Sequence, residues 1–530
     1  MGVYRLLMRM NAGVRASRLI TLAVLILFVI YSGAGTSAVR AGIMTLEMLF
    51  SKTVRKRYDQ LSALALSGIV ILLIYPHDTG NAAFILSFSA IPGIYAANEL
   101  ELKRFSGAAI TLTTLPGTLF FFYEAPVYGI LINICVIPLT GCILVFAFAS
   151  ALLGMVCLPL GGMAAGTVCV LLKIISFIAD FAGHLPFSLI CTGKPAPVGI
   201  VFYVILLVAA FRIASKDRAE KEKARLRKIV SAGVVTVALC FLLSGGKKYE
   251  LAFLSVGQGD CFVYMRGGSC AVVDCGSSDT GSVGKYILSP YLKHSGEILI
   301  DEFVVTHTDD DHVNGLIELL EAMPVYKGEI RYAAHYDGNP GIKRLIMPKV
   351  EERNEKYDRI VSLAISKNVE VVYASTGYTF TPCGKEKKGR AVFTCLAPAN
   401  AKVSENETSL VFLLETSKYN VILTGDADIS EEEEALDVLK RTETKILLDR
   451  QEKAGKTKKR PQTVILKAGH HGSRTSASEA FVSCLGPDIA VVSCGKNNSY
   501  GHPHKETIAL FELCGTSVHR TDEDGALLLK

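Results

Sequence analysis

The stretch that decides the fold is His307-Thr308-Asp309-Asp310-Asp311-His312, which places two imidazoles and three carboxylates within six residues. It follows the apolar, strand-like run 303–306 and precedes a helix-like run that begins at Val313. Carboxylates crowded at one strand end repel one another unless a cation lies between them. An acidic, solvated turn is the alternative interpretation, but the position directly after a buried strand favours a metal site.

Polar side chains also follow five other apolar runs in the C-terminal half. They are Asp260 after 251–255, Asp274 after 271–273, Asp426 after 421–423, His470 and His471 after 463–467, and His502 and His504 after 489–493. Sites assembled from loops at strand ends are usual in α/β enzymes. Six of the chain's 11 histidines lie in three of these loops, which indicates one shared site.

Taken singly, these motifs are weaker. Asp426 alone is most simply a turn aspartate, and 501–504 alone is an ordinary loop. The adjacent imidazoles of His470 and His471 lie between glycines, an arrangement that suits metal ligation combined with proton transfer. Ligands rich in carboxylate and free of cysteine make Mn²⁺ plausible beside Zn²⁺. The 14 cysteines form no C-x-x-C pair, which argues against a cysteine-ligated zinc site.

Composition divides the 530-residue chain into two parts. Half of the residues are hydrophobic, and most of the apolar runs lie before Gly245. The mean hydropathy of +0.35 is high for a soluble protein. Runs of this length enter or span a bilayer. We therefore predict a membrane domain at 1–246 and a hydrolase domain at 247–530.

The membrane half contains seven candidate spans and two shorter or interrupted apolar segments, so seven to nine helices are expected. The spans are 19–32, 61–75, 108–122, 127–151, 168–182, 198–211 and 229–243, and the shorter segments are 37–50 and 82–97. Arg40 and Asn133 are candidates to line a polar path through the membrane. The segment 19–30 is interpreted as a first span or signal anchor rather than a cleaved signal.

A basic segment at 212–228 sets the predicted orientation. It carries eight lysines and arginines and is expected on the cytoplasmic side. One span, 229–243, follows, so the C-terminal domain should lie on the extracytoplasmic side of the cell membrane. A charged surface helix is the simpler interpretation of 212–228, and both can hold. The net charge of +6 is by itself no sign of a nucleic-acid partner.

Taken as a set, the motifs resemble a known family. H-x-D-x-D-H, T-G-D and G-H-H-G-S resemble the metallo-β-lactamase superfamily. With V-G-Q-G-D at 256–260, Y-G-H-P-H at 500–504 and R-T-D-E-D-G at 520–525, the chain is similar to the ComEC family of DNA-uptake channel proteins. Segments 37–44, 61–66 and 84–88 are similar to that family's competence domain. The resemblance implies a multi-pass α-helical membrane domain followed by an α/β, metallo-β-lactamase-like αββα sandwich.

The resemblance also implies roles for individual residues. One or two divalent ions, Zn²⁺ or Mn²⁺, would be held by His307, Asp309, Asp311, His312, Asp426 and His471. Catalytic roles would fall to His470, His502 and His504, with Asp260, Asp274 and Asn406 as further site residues. Asn406 with Ser409 fits the family's N-x-x-S-L pattern.

The chain departs from the wider pattern at three points. Asp309 replaces the second histidine of H-x-H-x-D-H, as in ComEC proteins. The superfamily's third histidine is not evident, since His335 is the only one between the first cluster and Asp426 and matches no motif. About 36 residues precede the match at Ser37, fewer than the family has, so a fragment or short variant is one expectation.

The expected function is DNA internalisation combined with a metal-dependent extracellular hydrolase, a nuclease that degrades the non-transported strand during natural transformation. The expected partners are DNA and other proteins of the DNA-uptake machinery. A membrane-anchored phosphodiesterase without transport is the alternative, and a binding-only domain is a third. The basic loop 453–460 is either a phosphate contact or a solvated loop. β-Lactam hydrolysis is not expected, because this fold hosts many reactions.

Overall fold

The computed structural model describes residues 2–54, 56–100, 106–215, 250–325, 338–382, 391–399, 409–441 and 462–530, together with position 235. The chain forms two compact units, Met1–Gly245 and Gly246–Lys530. The expected span at 229–243, the basic loop 453–460 and Asn406 lie outside the described residues, as does most of the basic segment 212–228.

The N-terminal unit is helical. Its helices are α1 (Gly2–Arg9), α2 (Val14–Tyr31), α3 (Thr36–Thr53), α4 (Gln60–Ile74), α5 (Ala82–Glu99), α6 (Ser106–Phe122), α7 (Gly129–Val156), α8 (Leu158–Gly183) and α9 (Pro197–Ser215). A 3₁₀ turn, Pro76–Gly80, joins α4 to α5, and two short antiparallel strands, β1 (Glu124–Pro126) and β2 (Leu189–Cys191), pair with each other.

Several helices in this unit begin and pack for identifiable reasons. The Asp59 side chain accepts from the Ser62 N–H at the start of α4, and Asn81 caps α5 in the same way. α5 and α6 approach closely at Gly93, where an added Cβ would lie 2.6 Å from the Thr113 hydroxyl. Among the described residues, α2, α7 and α8 are long and apolar enough to cross a membrane.

The C-terminal unit contains two seven-stranded sheets. In the first, the order is β16-β3-β4-β5-β6-β7-β8, formed by Leu527–Leu529, Leu251–Phe253, Phe262–Arg266, Ser269–Val273, Leu299–Val304, Gly341–Pro348 and Glu370–Ala374. In the second, the order is β15-β14-β13-β12-β11-β10-β9, formed by Ser517–Arg520, Ile489–Val492, Thr463–Lys467, Tyr419–Leu423, Val411–Glu415, Val392–Ala397 and Thr379–Phe380.

Helices accompany both sheets. They are a π-helical turn, Gly284–Leu288, followed by α10 (Ser289–His294), α11 (Asp310–Ala322), α12 (Glu355–Ser366), α13 (Ile429–Arg441), α14 (Glu479–Leu485), α15 (Lys505–Leu513) and α16 (Thr521–Asp524). A 3₁₀ turn, Gly469–Gly472, follows β13.

Period-two alternation along the strands divides the apolar residues into layers. In β4, Phe262 and Tyr264 join a core that also holds Phe393 and Phe412 of the second sheet. The intervening Val263 lies in a different core, which includes residues of α11 and α12. A third core packs α13, α14 and α15 on the outer face of the second sheet. This arrangement confirms the predicted αββα sandwich.

The parallel strands bring their carboxyl ends to shared edges. In the first sheet β5 pairs in parallel with β6, and in the second β12, β13 and β14 are mutually parallel. The polar residues that follow these strands are therefore brought together from two sheets. α11 begins at Asp310, three residues earlier than the sequence pattern indicated, so Asp311 and His312 lie in its first turn.

Candidate metal centre

Four side chains converge where the two sheets meet. One ligand atom each from Asp311, His312, Asp426 and His471 lies within 4.8 Å of the others. The distance from His312 Nε2 to Asp426 Oδ1 is 3.1 Å, and from His471 Nε2 to Asp311 Oδ2 it is 3.4 Å. His471 Nε2 also lies 3.6 Å from Asp426 Oδ2. Asp426 is therefore the central carboxylate of the cluster.

Three ligand atoms of this cluster, and one from the adjacent His307, are buried and unpaired. The Nε2 atoms of His307, His312 and His471 and the Oδ1 atom of Asp426 make no hydrogen bond among the described residues. Buried polar atoms without partners are costly and rare. Imidazole nitrogens and carboxylate oxygens are ligands for Zn²⁺ and Mn²⁺. The donor set fits a divalent cation bound at the point where these atoms converge.

The opposite ring nitrogens are fixed by the protein. His312 Nδ1 lies 2.9 Å from Asp274 Oδ2, and His471 Nδ1 lies 2.9 Å from the Ser493 carbonyl oxygen. His307 Nδ1 lies 3.1 Å from the Thr306 hydroxyl. Such partners hold an imidazole in the orientation and tautomer that directs Nε2 at a metal. Asp274 therefore orients a candidate ligand.

A second carboxylate cluster, formed by Asp260 and Asp274 around His312, is already balanced by a lysine. Lys467 is 4% exposed, and its ammonium group forms an ion pair with Asp260. It also donates to the Gly425 carbonyl oxygen at 2.7 Å and lies 3.8 Å from Asp426 Oδ1. The pKa of Lys467 is raised, because the carboxylates of Asp260 and Asp426 outweigh the effect of burial.

The backbone is strained at the same place. Asp274, His470 and His471 all have positive φ, at 55°, 45° and 54°. Non-glycine residues rarely adopt this conformation, and such strain is concentrated at functional sites. The loops also approach closely: a Cβ on Gly259 would lie 2.2 Å from the Gly276 carbonyl oxygen. Glycine at 259 allows the 256–260 loop to contact the strand-end loops.

The cluster is electrostatically balanced by protons. Burial lowers the pKa of His312 and His471, but neighbouring carboxylates, chiefly Asp426, outweigh it and raise both pKa values. Burial raises the pKa of Asp311, yet the nearby His471 ring and the charge of His312 bring that pKa down to about 2. The pKa of Asp426 is lowered in the same way by His471 and His312. A divalent cation would replace these protons, so binding would release them.

A further group of histidines lies on the outer side of the cluster. His470 Nε2 is 3.9 Å from Asp426 Oδ2, and the ring centroids of His470 and His502 are 5.7 Å apart. The His504 ring lies 5.1 Å from that of His502, and its Nδ1 accepts from the Arg474 N–H at 3.2 Å. Burial and the neighbouring imidazoles lower the pKa of His502 to about 4, so this ring is neutral at pH 7.

Two predicted ligands lie beside the four-residue cluster rather than in it. The ring centroids of His307 and His312 are 4.1 Å apart, and His307 Nε2 lies 3.9 Å from Asp309 Oδ2. The side chain of Asp309 is 44% exposed. Ser409, whose hydroxyl lies 3.2 Å from His307 Nδ1, contacts the far side of that ring.

Two further residues, Lys467 and Gln258, belong to the site and are not among those that the motifs predict. Gln258 Nε2 lies 3.4 Å from His502 Nδ1, and Gln258 Oε1 accepts from the Gly495 N–H. Lys467 had a recognisable signal, since it ends the otherwise apolar strand β13, where a buried charge requires a partner. Gln258 had the weaker signal of a position inside the V-G-Q-G-D motif.

Two known protein families match different parts of the chain. Residues 1–216 match the family described as Competence protein, and residues 254–496 match the metallo-beta-lactamase superfamily. The chain combines a competence-protein domain with a metallo-β-lactamase domain. The fold class and the resemblance found in the motifs are thereby confirmed. A divalent metal and metal-dependent hydrolysis are what this fold supports.

Curated relatives cover the chain to different extents. It is 26% identical to ComE operon protein 3 of Bacillus subtilis (strain 168), over 99% of this chain and 65% of the relative. It is 27% identical to Recombination protein 2 of Haemophilus influenzae, over 54% of this chain and 30% of the relative. The chain thus spans less than two thirds of each of these relatives.

Solved structures with a similar fold include a diphosphatase from the PhnP family and the metallo-β-lactamase SMB-1. The first is 13% identical, covers 53% of this chain and 98% of its own, and has a TM-score of 0.29. The second is 10% identical, covers 43% and 81%, and has a TM-score of 0.21.

Proposed function

We propose that the metallo-β-lactamase domain is a metal-dependent phosphodiesterase that cleaves DNA, and that the competence domain passes one DNA strand through the cell membrane. The observation that carries the hydrolase is the convergence of buried, unpaired ligand atoms from His312, Asp426 and His471. The observation that supports DNA as the substrate is the pairing of this domain with a competence domain in one chain.

The metal ligands in this proposal are His307, Asp309, Asp311, His312, Asp426 and His471. One or two ions, Mn²⁺ or Zn²⁺, would supply Lewis-acid polarisation of a phosphoryl oxygen and activation of water near neutral pH. The Asp426 carboxylate lies between His312 and His471. Its Oδ1 is 3.1 Å from His312 Nε2, and its Oδ2 is 3.6 Å from His471 Nε2. It is therefore the residue best placed to contact two ions.

The protein's own residues position the substrate in this scheme. His470 and His502 line the outer side of the ligand cluster, where a phosphodiester would enter. They would hold the non-bridging phosphate oxygens through ring N–H groups, and His470 or His504 would protonate the leaving oxygen. Asp274 and Lys467 do not touch substrate, and they fix the ligands from behind.

The direction of transport follows from the membrane half. The lysines and arginines at 212–228 are expected on the cytoplasmic side, and one predicted span, 229–243, follows them. The hydrolase would therefore face outward and meet incoming DNA. It would degrade the strand that is not transported, together with other proteins of the uptake machinery. Multi-pass insertion is supported by α2, α7 and α8.

A cleavage assay tests the hydrolase. The full chain, purified in detergent and stripped of metal, should cleave labelled DNA only after Mn²⁺ or Zn²⁺ is restored, and Asp311→Ala should remove that response. Cleavage that persists without divalent metal, or in Asp311→Ala, contradicts the assignment.

The second candidate is a membrane-anchored phosphodiesterase that does not transport DNA. It is favoured by the fact that every described residue of the site comes from the C-terminal unit. Transformation frequency separates the two proposals. A strain that lacks the protein and regains competence with the wild-type gene supports transport, whereas unchanged competence in the deletion strain supports the anchored enzyme.

A further inference from the structure

An aromatic side chain is presented at the outer margin of the site. Tyr500, in the loop between β14 and α15, is 59% exposed. Its ring stacks on that of His502, with centroids 5.8 Å apart and planes inclined by 22°. The His502 ring in turn lies 6.3 Å from that of His471, a candidate metal ligand. Three rings therefore lead from the ligand cluster to the surface.

The loop that carries Tyr500 is held in place by its own hydrogen bonds. The Asn498 side-chain amide donates to the Gly495 carbonyl at 2.9 Å and to the His502 carbonyl at 2.6 Å. The Asn498 side-chain oxygen accepts from the His502 N–H at 3.0 Å. Gln258 fixes the start of the loop by accepting from the Gly495 N–H. A side chain on such a loop binds a planar ligand with little loss of conformational entropy.

The loops at this edge of the site carry exposed cations, which suit a polyanion. Lys496 and Arg474 are exposed and belong to the two loops that carry the outer histidines. The Arg474 backbone N–H contacts His504, which links the two loops at this edge. A flexible cation near an exposed aromatic ring is the combination that proteins use for single-stranded nucleic acid, with phosphates on the cations and bases on the ring.

We propose that Tyr500 is a base-stacking subsite, which makes the centre selective for unpaired DNA over other phosphodiesters. This inference rests on the proposed function and names the substrate class of the same site. A base stacked on Tyr500 places its strand beside His502 and directs a neighbouring phosphate toward the ligand cluster. A base inside a duplex is already stacked on both faces, so paired DNA gains nothing from this ring.

Binding without metal tests the subsite apart from catalysis. The full chain in detergent with EDTA is titrated with a fluorescent single-stranded oligonucleotide and with an abasic oligonucleotide of the same length and charge. Tyr500→Ala should weaken binding of the base-containing strand by about 5- to 100-fold and leave the abasic strand within about twofold. Tyr500→Phe keeps the ring and should retain wild-type affinity for both strands.

Lys496→Ala is the matched control, because it removes charge and leaves the ring. It should weaken both oligonucleotides by the same factor and reduce the salt dependence of binding. Equal weakening of both strands by Tyr500→Ala, or no effect on either, overturns the subsite. Failure of the subsite is distinguishable from failure of the proposed function. If the wild-type chain cleaves both oligonucleotides equally with Mn²⁺, only the subsite proposal is rejected. If it cleaves neither, the nuclease assignment is rejected.

Discussion

Helix α6 of the N-terminal unit and the ligand cluster of the C-terminal unit treat polar groups differently. In α6 of the N-terminal unit, the hydroxyls of Thr111 and Thr114 donate to carbonyls one turn earlier, those of Gly107 and Ile110. In the C-terminal unit, polar partners come from distant parts of the chain. His312 is oriented by Asp274, 38 positions away, and still directs a buried, unpaired nitrogen into the centre.

This difference separates polar groups that a helix can tolerate in lipid from polar groups that can bind a ligand. A hydroxyl that bonds to its own helix is satisfied in any surroundings, which suits a helix exposed to lipid. A polar atom left unpaired in a protein interior costs free energy, and it is retained where a bound ligand satisfies it. In α6 these polar groups are therefore satisfied locally, whereas the sandwich gathers unpaired polar atoms at one point.

The largest effect on activity should come from removing one of the candidate metal ligands. His312→Ala should lower metal content and reduce DNA cleavage to the uncatalysed background, because His312 contacts both Asp426 and Asp274. Metal analysis of the purified chain, combined with the cleavage assay, measures both. His519→Ala is the control, since that ring contacts Gly525 outside the centre. Full metal content in His312→Ala would show that the unpaired atoms are not ligands.

Removing the internal cation should destabilise the sandwich next. Lys467→Met leaves Asp260 buried without its ion-pair partner, which costs about 3–5 kcal/mol. Hydrogen exchange in β4 and β13 reports the loss. The double variant Lys467→Met/Asp260→Asn removes both charges and should recover part of the stability. A double variant as unstable as the sum of the single variants would show that the pair itself contributes nothing.

A pH effect should follow from Glu432 in α13, which accepts from the Ala477 and Ser478 N–H groups at 2.7 Å each. Burial raises its pKa from 4.5 to about 7, although those hydrogen bonds oppose the shift. The folded state then binds the proton more tightly than the unfolded state. Stability is highest below pH 4.5 and falls by up to about 3 kcal/mol as pH rises to 7.

Glu432→Gln should remove this component of the pH dependence. Exchange rates of amides in β13, corrected for intrinsic chemistry and measured from pH 4.5 to pH 8, give the slope for both proteins. An identical slope in Glu432→Gln would assign the pH dependence to other groups.

The smallest effect is expected in α6. Thr111→Val removes a hydroxyl that is bonded to its own helix and lies 3.3 Å from the Asn133 amide nitrogen. Inter-helix hydrogen bonds in membranes average about 0.6 kcal/mol, so stability in micelles should change by no more than that. A loss of more than about 2 kcal/mol in the free energy of unfolding, measured by detergent-induced unfolding, would show that this hydroxyl depends on its contact with Asn133. The contrast with the ligand cluster would then fail.

Sequence patterns predicted the elements well where the pattern is local. The apolar runs before Asp274, Asp426 and His470 are strands, and the apolar segment that contains Asn133 is a helix. Boundaries were less accurate: α8 begins at Leu158, whereas the predicted span begins at 168. Leu158 follows Cys157, which separates α7 from α8, and hydropathy alone does not show that short break.

The candidate site was predicted only as a set of residue types. The motifs predict Asp311, His312, Asp426 and His471 as metal ligands, and they predict Asp309 equally. The Asp309 side chain is 44% exposed, however, and lies outside the four-residue cluster. Burial depends on which face of a loop packs inward, and a linear motif does not contain that information.

The sequence by itself determined which residue types end each strand and in what order they occur, because apolar periodicity and loop composition are properties of neighbouring residues. The tertiary structure alone decided that Lys467 balances Asp260 and that Asp274 orients His312. These pairs join residues 207 and 38 positions apart. Lys467 meets Asp260 only when the two sheets pack face to face, and Asp274 meets His312 because β5 and β6 are neighbours in the first sheet. The candidate metal centre therefore depends on tertiary packing, while the residue types that form it are predicted by the sequence.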